Sequence, residues 1–388
     1  MDGGRFRRPR DHARTGRRQA AGPAHGREAR PHAGHLRSQP PARPGRCRLI
    51  TNICNVVVRL QTDEGVEGVA GSTTYLGAQS VASAVAELRP LLVGEDPLYR
   101  ERIWQRLMEV SIIVFPPHAI AAVDCALWDL AGKAAGLPLY KLLGAQRDSV
   151  LAYASTGTYA SLEAWRREVD AMLEHGFRAI KLHCWGDPDR DIELFQAVRD
   201  QVGPKYPLMV DAVGSYNLSD AVRVGRALER LDYEWFEMPL RDQHVQAYRT
   251  LAAALDIPVT SGEVHTYGFQ EAANYVGQGA WDIVRIDAGI SGGITSVRKA
   301  AALAEAFGLR CEIHSHGYTL AQAANLQVMG SISNCRYFEY PMPIGAFDAG
   351  MRDVIALQPD GTVCVPAKPG LGVEVDWERM DALTVARF

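Results

Sequence analysis

Asp211, Glu237 and Glu263 recur at a constant interval of 26 residues in this chain. Three carboxylates brought to one point repel one another and demand a counter-charge. Hard oxygen donors with no Cys or His among them suit a hard divalent ion, Mg2+ first and Mn2+ second. The ordinary alternatives are salt bridges to Lys or Arg, or a helix cap for any single Asp. On one side of these acids lies Lys181-x-His183, a spacing that points both side chains to one face of a strand. On the other lie Asp287 and His316, the expected dyad, in which the aspartate fixes the imidazole tautomer and raises its basicity. His314 shares the alternation of His316 and reads as structural; Glu339 is a further acid. A metal flanked by two bases suits removal of the proton α to a carboxylate. The metal and Lys181 would hold the carboxylate oxygens and stabilise the enediolate. Each acid–base group is expected to contribute roughly 10²–10⁴-fold in rate. A Schiff-base aldolase using Lys181 is a reading from another class, and it leaves three carboxylates unexplained.

The elements that must position these residues can be read from periodicity. A hairpin is expected at 56–60 and 66–70 around the turn Thr62-Asp63-Glu64-Gly65, followed by helices near 79–93, 97–110 and 118–135. Strands then alternate with amphipathic helices. Strands are expected at 150–155, 178–183, 207–212, 233–238, 258–263, 282–287, 309–315 and 335–340. Strict alternation implies parallel strands with right-handed crossovers. An open sheet would satisfy it, but the even repeat of about 26 residues favours a closed (β/α)7β barrel. The expected fold is therefore α/β, with an α+β capping domain at 48–145, the barrel at 146–350 and a tail at 351–388 that packs back on the cap. In such a barrel the ionisable strand ends gather at one mouth.

Composition narrows the function further. Of 388 residues, 47% are apolar and 22% charged, enough to bury a large core. No apolar run is long enough for a membrane span, and no secretory signal is legible. Seven cysteines without a CxxC pair point to reduced thiols and a cytoplasmic setting. Residues 1–47 hold 12 Arg and 3 acidic residues; removing these from totals of 42 and 45 leaves 30 basic and 42 acidic groups. The body thus stands near −12, which excludes nucleic acid as an expected partner. The first 47 residues, rich in Arg, Pro, Gly and His, are expected to be disordered or mistranslated, with a basic tail for an anionic surface as the competing reading.

The motifs together resemble the enolase superfamily, in its mandelate racemase/muconate lactonizing branch, over about 49–388. They are Thr62-Asp63-Glu64-Gly65, Ala122-Val123-Asp124-Cys125-Ala126-Leu127-Trp128-Asp129, Trp235-Phe236-Glu237-Met238-Pro239-Leu240, Ser261-Gly262-Glu263, Gly292-Gly293-Ile294-Thr295 and Pro369-Gly370-Leu371-Gly372. The resemblance implies that Asp211, Glu237 and Glu263 bind Mg2+, that Asp287–His316 is a mandelate-racemase-type dyad, and that Glu339 hydrogen-bonds the substrate carboxylate. His183 stands where the family commonly has a second Lys, and Val213 where it often has Asn. The first capping strand and the substrate flap would fall within 1–47, whose sequence resembles neither. The reaction implied is dehydration of a sugar acid to a 2-keto-3-deoxy acid. The alternatives are racemisation or epimerisation of a 2-hydroxy acid, cycloisomerisation, and an inactive paralogue. The partners implied are a small carboxylate and further copies of the chain, as a dimer or octamer.

Overall fold

The computed structural model describes residues 53–74, 77–111, 116–262 and 268–388, all within one unit spanning 44–388. The expectations for residues 1–47, the strand beginning at Leu49, and Glu263 fall outside the described residues. The first elements are β1 (Val56–Gln61) and β2 (Glu67–Ser72), an antiparallel pair closed by Gly65 at φ 81°. Val56 and Val58 point inward, while Arg59 faces out and pairs with Glu67 at 2.6 Å. Three longer helices and a short one follow: α1 (Ala78–Leu88), α2 (Arg100–Ser111), α3 (Pro117–Ala134) and α4 (Leu139–Leu142). α3 is buried on nearly every side because it packs on both β2 and the barrel helix that begins at Gly293.

Two acids on α3 make these attachments. Asp129 Oδ2 accepts Val69 N–H and Oδ1 accepts Leu371 N–H, both at 2.7 Å, which ties the hairpin and the Pro369–Gly372 turn to one carboxylate. Gly370 must stay bare, since a Cβ there would lie 2.1 Å from Asp129 Oδ1. Asp124 accepts Thr295 N–H at 2.9 Å and Thr295 Oγ1–H at 2.7 Å, at the start of a barrel helix. Burial nonetheless pushes the Asp124 carboxyl up to about 7, the Thr295 bonds opposing it. The folded state then holds a proton that the unfolded chain releases above about 3.8. Stability from this group is therefore full below that value and declines as pH rises to about 7. Urea unfolding near pH 5 and pH 8 should show the wild type losing more stability than Asp124→Asn. Equal losses would refute the assignment.

The barrel strands are β3 (Ser149–Ser155), β4 (Ile180–His183), β5 (Leu208–Asp211), β6 (Phe236–Glu237), β7 (Val259–Ser261), β8 (Ile283–Val284), β9 (Arg310–Cys311) and β10 (Tyr337–Pro341). Between them run α5 (Leu162–Glu174), α6 (Pro188–Val202), α7 (Leu218–Arg230), α8 (Val245–Ala254), α9 (Phe269–Gly277), α10 (Gly293–Ala306) and α11 (Thr319–Met329). Side chains of Ser161, Asp187 and Asn217 cap α5, α6 and α7. The ladder runs parallel in the order β10-β3-β4-β5-β6-β7-β8-β9, as alternation demanded. The later strands are shorter than expected because their ends leave the ladder for the mouth; Met238, one residue past β6, has φ 40°.

β9 and β10 share no ladder. Side chains close that seam: Glu312 accepts the backbone N–H of Arg336 and Tyr337 at 3.1–3.3 Å, and Ser315 Oγ–H donates to Glu339 O at 2.9 Å. In the tail, β11 (Thr362–Cys364) pairs antiparallel with β3, and α12 (Trp377–Leu383) follows. The tail also meets the cap, where Leu139 N–H donates to Gly370 O at 2.9 Å.

Candidate active site

Cross-strand register sets the depth of each group at the mouth. Asp211 and Glu237 are Cα partners on β5 and β6, as are His183 and Asp211 on β4 and β5. The 26-residue step therefore does bring the first two acids level. On β7 the partner of Glu237 is Thr260, three residues short of Glu263. An equal interval thus does not by itself place the third acid at the same depth.

Lys181 is fully buried among acids. Its Nζ lies 2.7 Å from Glu237 Oε1, 2.8 Å from Glu339 Oε1 and 3.3 Å from Asp211 Oδ2. Burial would lower its pKa, but Glu237 and Glu339 outweigh that and hold it well above the usual lysine value. Such a lysine is a permanent cation, unsuited to the free-amine role of a Schiff-base nucleophile. Burial would likewise raise Glu339 and Asp211, yet both stay well below the usual carboxylate range. Lys181 is the main cause in each case, joined by His314 and Arg285 at Glu339 and by His183 at Asp211.

Asp287 is held by Gly289 N–H at 2.6 Å and Asn325 Nδ2–H at 2.8 Å, both on Oδ1. Its Oδ2 meets the Nδ1 of His314 at 2.7 Å. The dyad partner is therefore His314, and not His316 as adjacency of the strands suggested. The reason is register. Val284 pairs with Cys311, an offset of 27, and the backbone bond from His314 N–H to Ile286 O at 3.0 Å carries that alignment past the strand ends. The same offset sets Asp287 level with His314. With Nδ1–H donated to Asp287, the basic nitrogen of the neutral ring is Nε2, 3.8 Å from Glu339 Oε2.

His316 sits beyond the dyad, its ring centroid 6.5 Å from that of His314, 6.3 Å from that of His183 and 5.1 Å from that of Phe347. Burial pushes its pKa down to about 3, so it is neutral at pH 7. His183 Nε2 lies 3.1 Å from Asp211 Oδ2, while its Nδ1 is buried without a hydrogen-bond partner among the described residues. Val213 stands at the mouth, 59% exposed, with φ 49°. That is a strained conformation for a β-branched residue, held by its N–H on Asp211 Oδ1 at 2.9 Å.

Sequence reading overlooked Arg285. Its guanidinium is fully buried, with Nε 2.8 Å from Glu237 Oε1 and Nη2 2.7 Å from Glu339 Oε2. The signal was present as a lone charge in the apolar run Ile283-Val284-Arg285-Ile286. Ser155 was also missed; its Oγ–H donates to Glu339 Oε1 at 2.7 Å.

Around the mouth, Asp211, Glu237 and Glu339 meet two permanent cations among the described residues, Lys181 and Arg285, while Asp287 meets His314. That surplus of negative charge, with two acids level on adjacent strands, fits a hard divalent cation. Among the described residues no set of three ligating groups stands ready for one; the expected third ligand, Glu263, lies outside them.

An aspartate-backed histidine set against buried, cation-compensated carboxylates is equipment for taking protons from carbon acids. Residues 164–379 match the family model described as enolase C-terminal domain-like. Residues 41–144 match that of the mandelate racemase / muconate lactonizing enzyme N-terminal domain. The chain belongs to the mandelate racemase / muconate lactonizing enzyme family of the enolase superfamily. It is 35% identical to L-talarate/galactarate dehydratase of Salmonella typhimurium, over 70% of this chain and 72% of that enzyme. It is 32% identical to D-galactarolactone cycloisomerase of Agrobacterium fabrum, over 86% and 91%. The crystal structure of D-glucarate dehydratase from Agrobacterium tumefaciens complexed with magnesium superposes with a TM-score of 0.78 at 34% identity, covering 84% of this chain and 90% of that one. These relatives are lyases and isomerases, the two classes expected from the sequence, and magnesium dependence is general to the family. No helix among the described residues is long and apolar enough to cross a membrane.

Proposed function

We propose that this chain abstracts the α-proton of a sugar acid and expels the β-hydroxyl, giving a 2-keto-3-deoxy acid. The observation that carries the reading is the 2.7 Å Asp287–His314 pair beside the Lys181-held acids. The kinship to galactarate and glucarate dehydratases supports the substrate class. Asp211 and Glu237, with Glu263, would hold Mg2+, or Mn2+ in its stead. When bound, the ion offsets the charge that grows on the substrate carboxylate as the proton leaves.

The chain's own residues perform the remaining steps. Lys181 supplies a fixed positive charge beside the carboxylate. His314 Nε2 takes the α-proton, and the C–H electrons pass into the enediolate. Asp287 stabilises the imidazolium so formed. That imidazolium returns its proton to the β-hydroxyl, which leaves as water when the C–O bond breaks. The enol left behind becomes the 2-keto acid. His316, neutral at pH 7, is a hydrogen-bonding group for substrate hydroxyls in this scheme. Every cysteine among the described residues is a free thiol, which supports a reducing, cytoplasmic setting.

One observation favours a second reading. The buried Nδ1 of His183 is a second basic nitrogen, and two bases on opposite faces of the α-carbon would racemise or epimerise a 2-hydroxy acid. The protein should be incubated with Mg2+ in D2O against aldonic, aldaric and alkyl or aryl 2-hydroxy acids, with Asp211→Asn as control. The expected result is semicarbazide-positive product from an aldonic or aldaric acid, lost in the control. Deuterium entering substrate and epimer without keto acid would establish the second reading. No exchange with any acid would defeat both.

A further inference from the structure

Lys181, Glu237, Arg285 and Glu339 come from β4, from β6, from just past β8 and from β10, which are the alternate strands of the barrel. Barrel interiors fill in layers of four side chains from alternate strands. Two residues earlier on the same strands stand Ala179, Trp235, Ile283 and Tyr337, all buried in one apolar cluster. The layer above them is ionic instead, and its signs alternate round the ring. Lys181 touches Glu237 and Glu339 at 2.7 and 2.8 Å; Arg285 touches the same two at 2.8 and 2.7 Å. Each acid is thus gripped from both sides. Arg285 alone of the two cations spans them with one planar group: Nη2–H donates to Glu339 Oε2 at 2.7 Å, while Nε lies 2.8 Å from Glu237 Oε1 as an ion pair. Nη2 also reaches Tyr153 Oη at 3.3 Å and Nη1 reaches the Glu312 carbonyl at 3.4 Å, which orients the guanidinium plane.

A buried ionic layer is a poor source of stability, since apolar side chains of similar volume often do as well or better. The layer beneath shows that this barrel can be filled that way. What an arginine adds is orientation of the two acids. We propose that Arg285 is a positioning residue, its guanidinium holding Glu237 and Glu339 at a fixed separation and so setting the affinity of the site for a divalent cation. This rests on the reading that Asp211 and Glu237 ligate that ion. Partners that orient metal ligands typically contribute 10–100-fold in affinity or activity.

The test uses Arg285→Lys, which keeps the charge and loses the planar guanidinium, and Arg285→Gln, which loses both. Mg2+ binding is measured by calorimetry on each folded variant, beside wild type, Asp211→Asn and Ile283→Ala. The last loosens the layer below without touching an acid. Arg285→Lys is expected to bind Mg2+ about tenfold more weakly, Arg285→Gln more weakly still, and Ile283→Ala as wild type. Wild-type affinity in whichever Arg285 variant folds overturns the proposal, as does an equal loss in Ile283→Ala. If wild type binds Mg2+ and the Arg285 variants bind it equally well, only the role of Arg285 falls. If wild type takes up none, the metal reading falls and this one with it.

Discussion

Replacing His314 with asparagine is expected to abolish α-proton exchange and lower kcat by about 10²–10⁴-fold, the range for loss of a general base. The substitution removes the nitrogen that Asp287 prepares through the 2.7 Å bond to Nδ1. Asp287→Asn should fail in the same direction, because an amide in place of the carboxylate no longer selects the tautomer with its lone pair on Nε2. His316→Asn should do less, within about tenfold, since a neutral ring outside the dyad supplies binding and not proton transfer. Mg2+ affinity should be unchanged in His314→Asn, which separates a lost base from a damaged metal site. Exchange measured by NMR in D2O decides the matter. If it survives in His314→Asn and disappears in His316→Asn, the base is His316 and the register argument is wrong.

Lys181→Met is expected to carry the largest cost to stability. Three carboxylates lie within 3.3 Å of Nζ, and Glu237 and Glu339 are fully buried. Removing the cation leaves them facing each other with Arg285 alone. Breaking a buried pair in this way costs about 3–5 kcal/mol, readable as a fall in the urea midpoint at unchanged m. The sign with pH follows from Glu339, whose folded pKa lies below its unfolded value in the wild type. That stabilisation is present above the unfolded carboxylate pKa and is lost as pH falls toward the folded one. The gap between wild type and Lys181→Met should therefore be widest near neutrality and narrow in acid. Saturating Mg2+ should raise the midpoint of either protein, because an ion that binds only the folded state adds its own binding free energy. Equal midpoints at pH 7 would mean that the acids share a proton or have drawn apart.

Much of this was legible in the sequence because it depends on short-range periodicity. Strand and helix repeats of 2 and 3.6 residues depend on neighbours along the chain. They marked the hairpin around Gly65 and the eight strand cores to within a few residues, and the alternation of helices between them. Alternation placed Lys181 and His183 on one face, and the step from Asp211 to Glu237 matches the β5–β6 register. Register between paired strands is not fixed by an equal interval alone. It depends on how loops and packing slide one strand past the next, and nothing within a single strand records that displacement. Only the folded barrel could choose His314 over His316 for Asp287, because both share one alternation and differ only in depth. Only it could set Thr260 opposite Glu237. The closure of β9 on β10 through Glu312 and Ser315, and the ring that joins Arg285 to Lys181, Glu237 and Glu339, likewise join residues far apart in the chain. Residue type supplied the charges; the tertiary structure decided which of them meet.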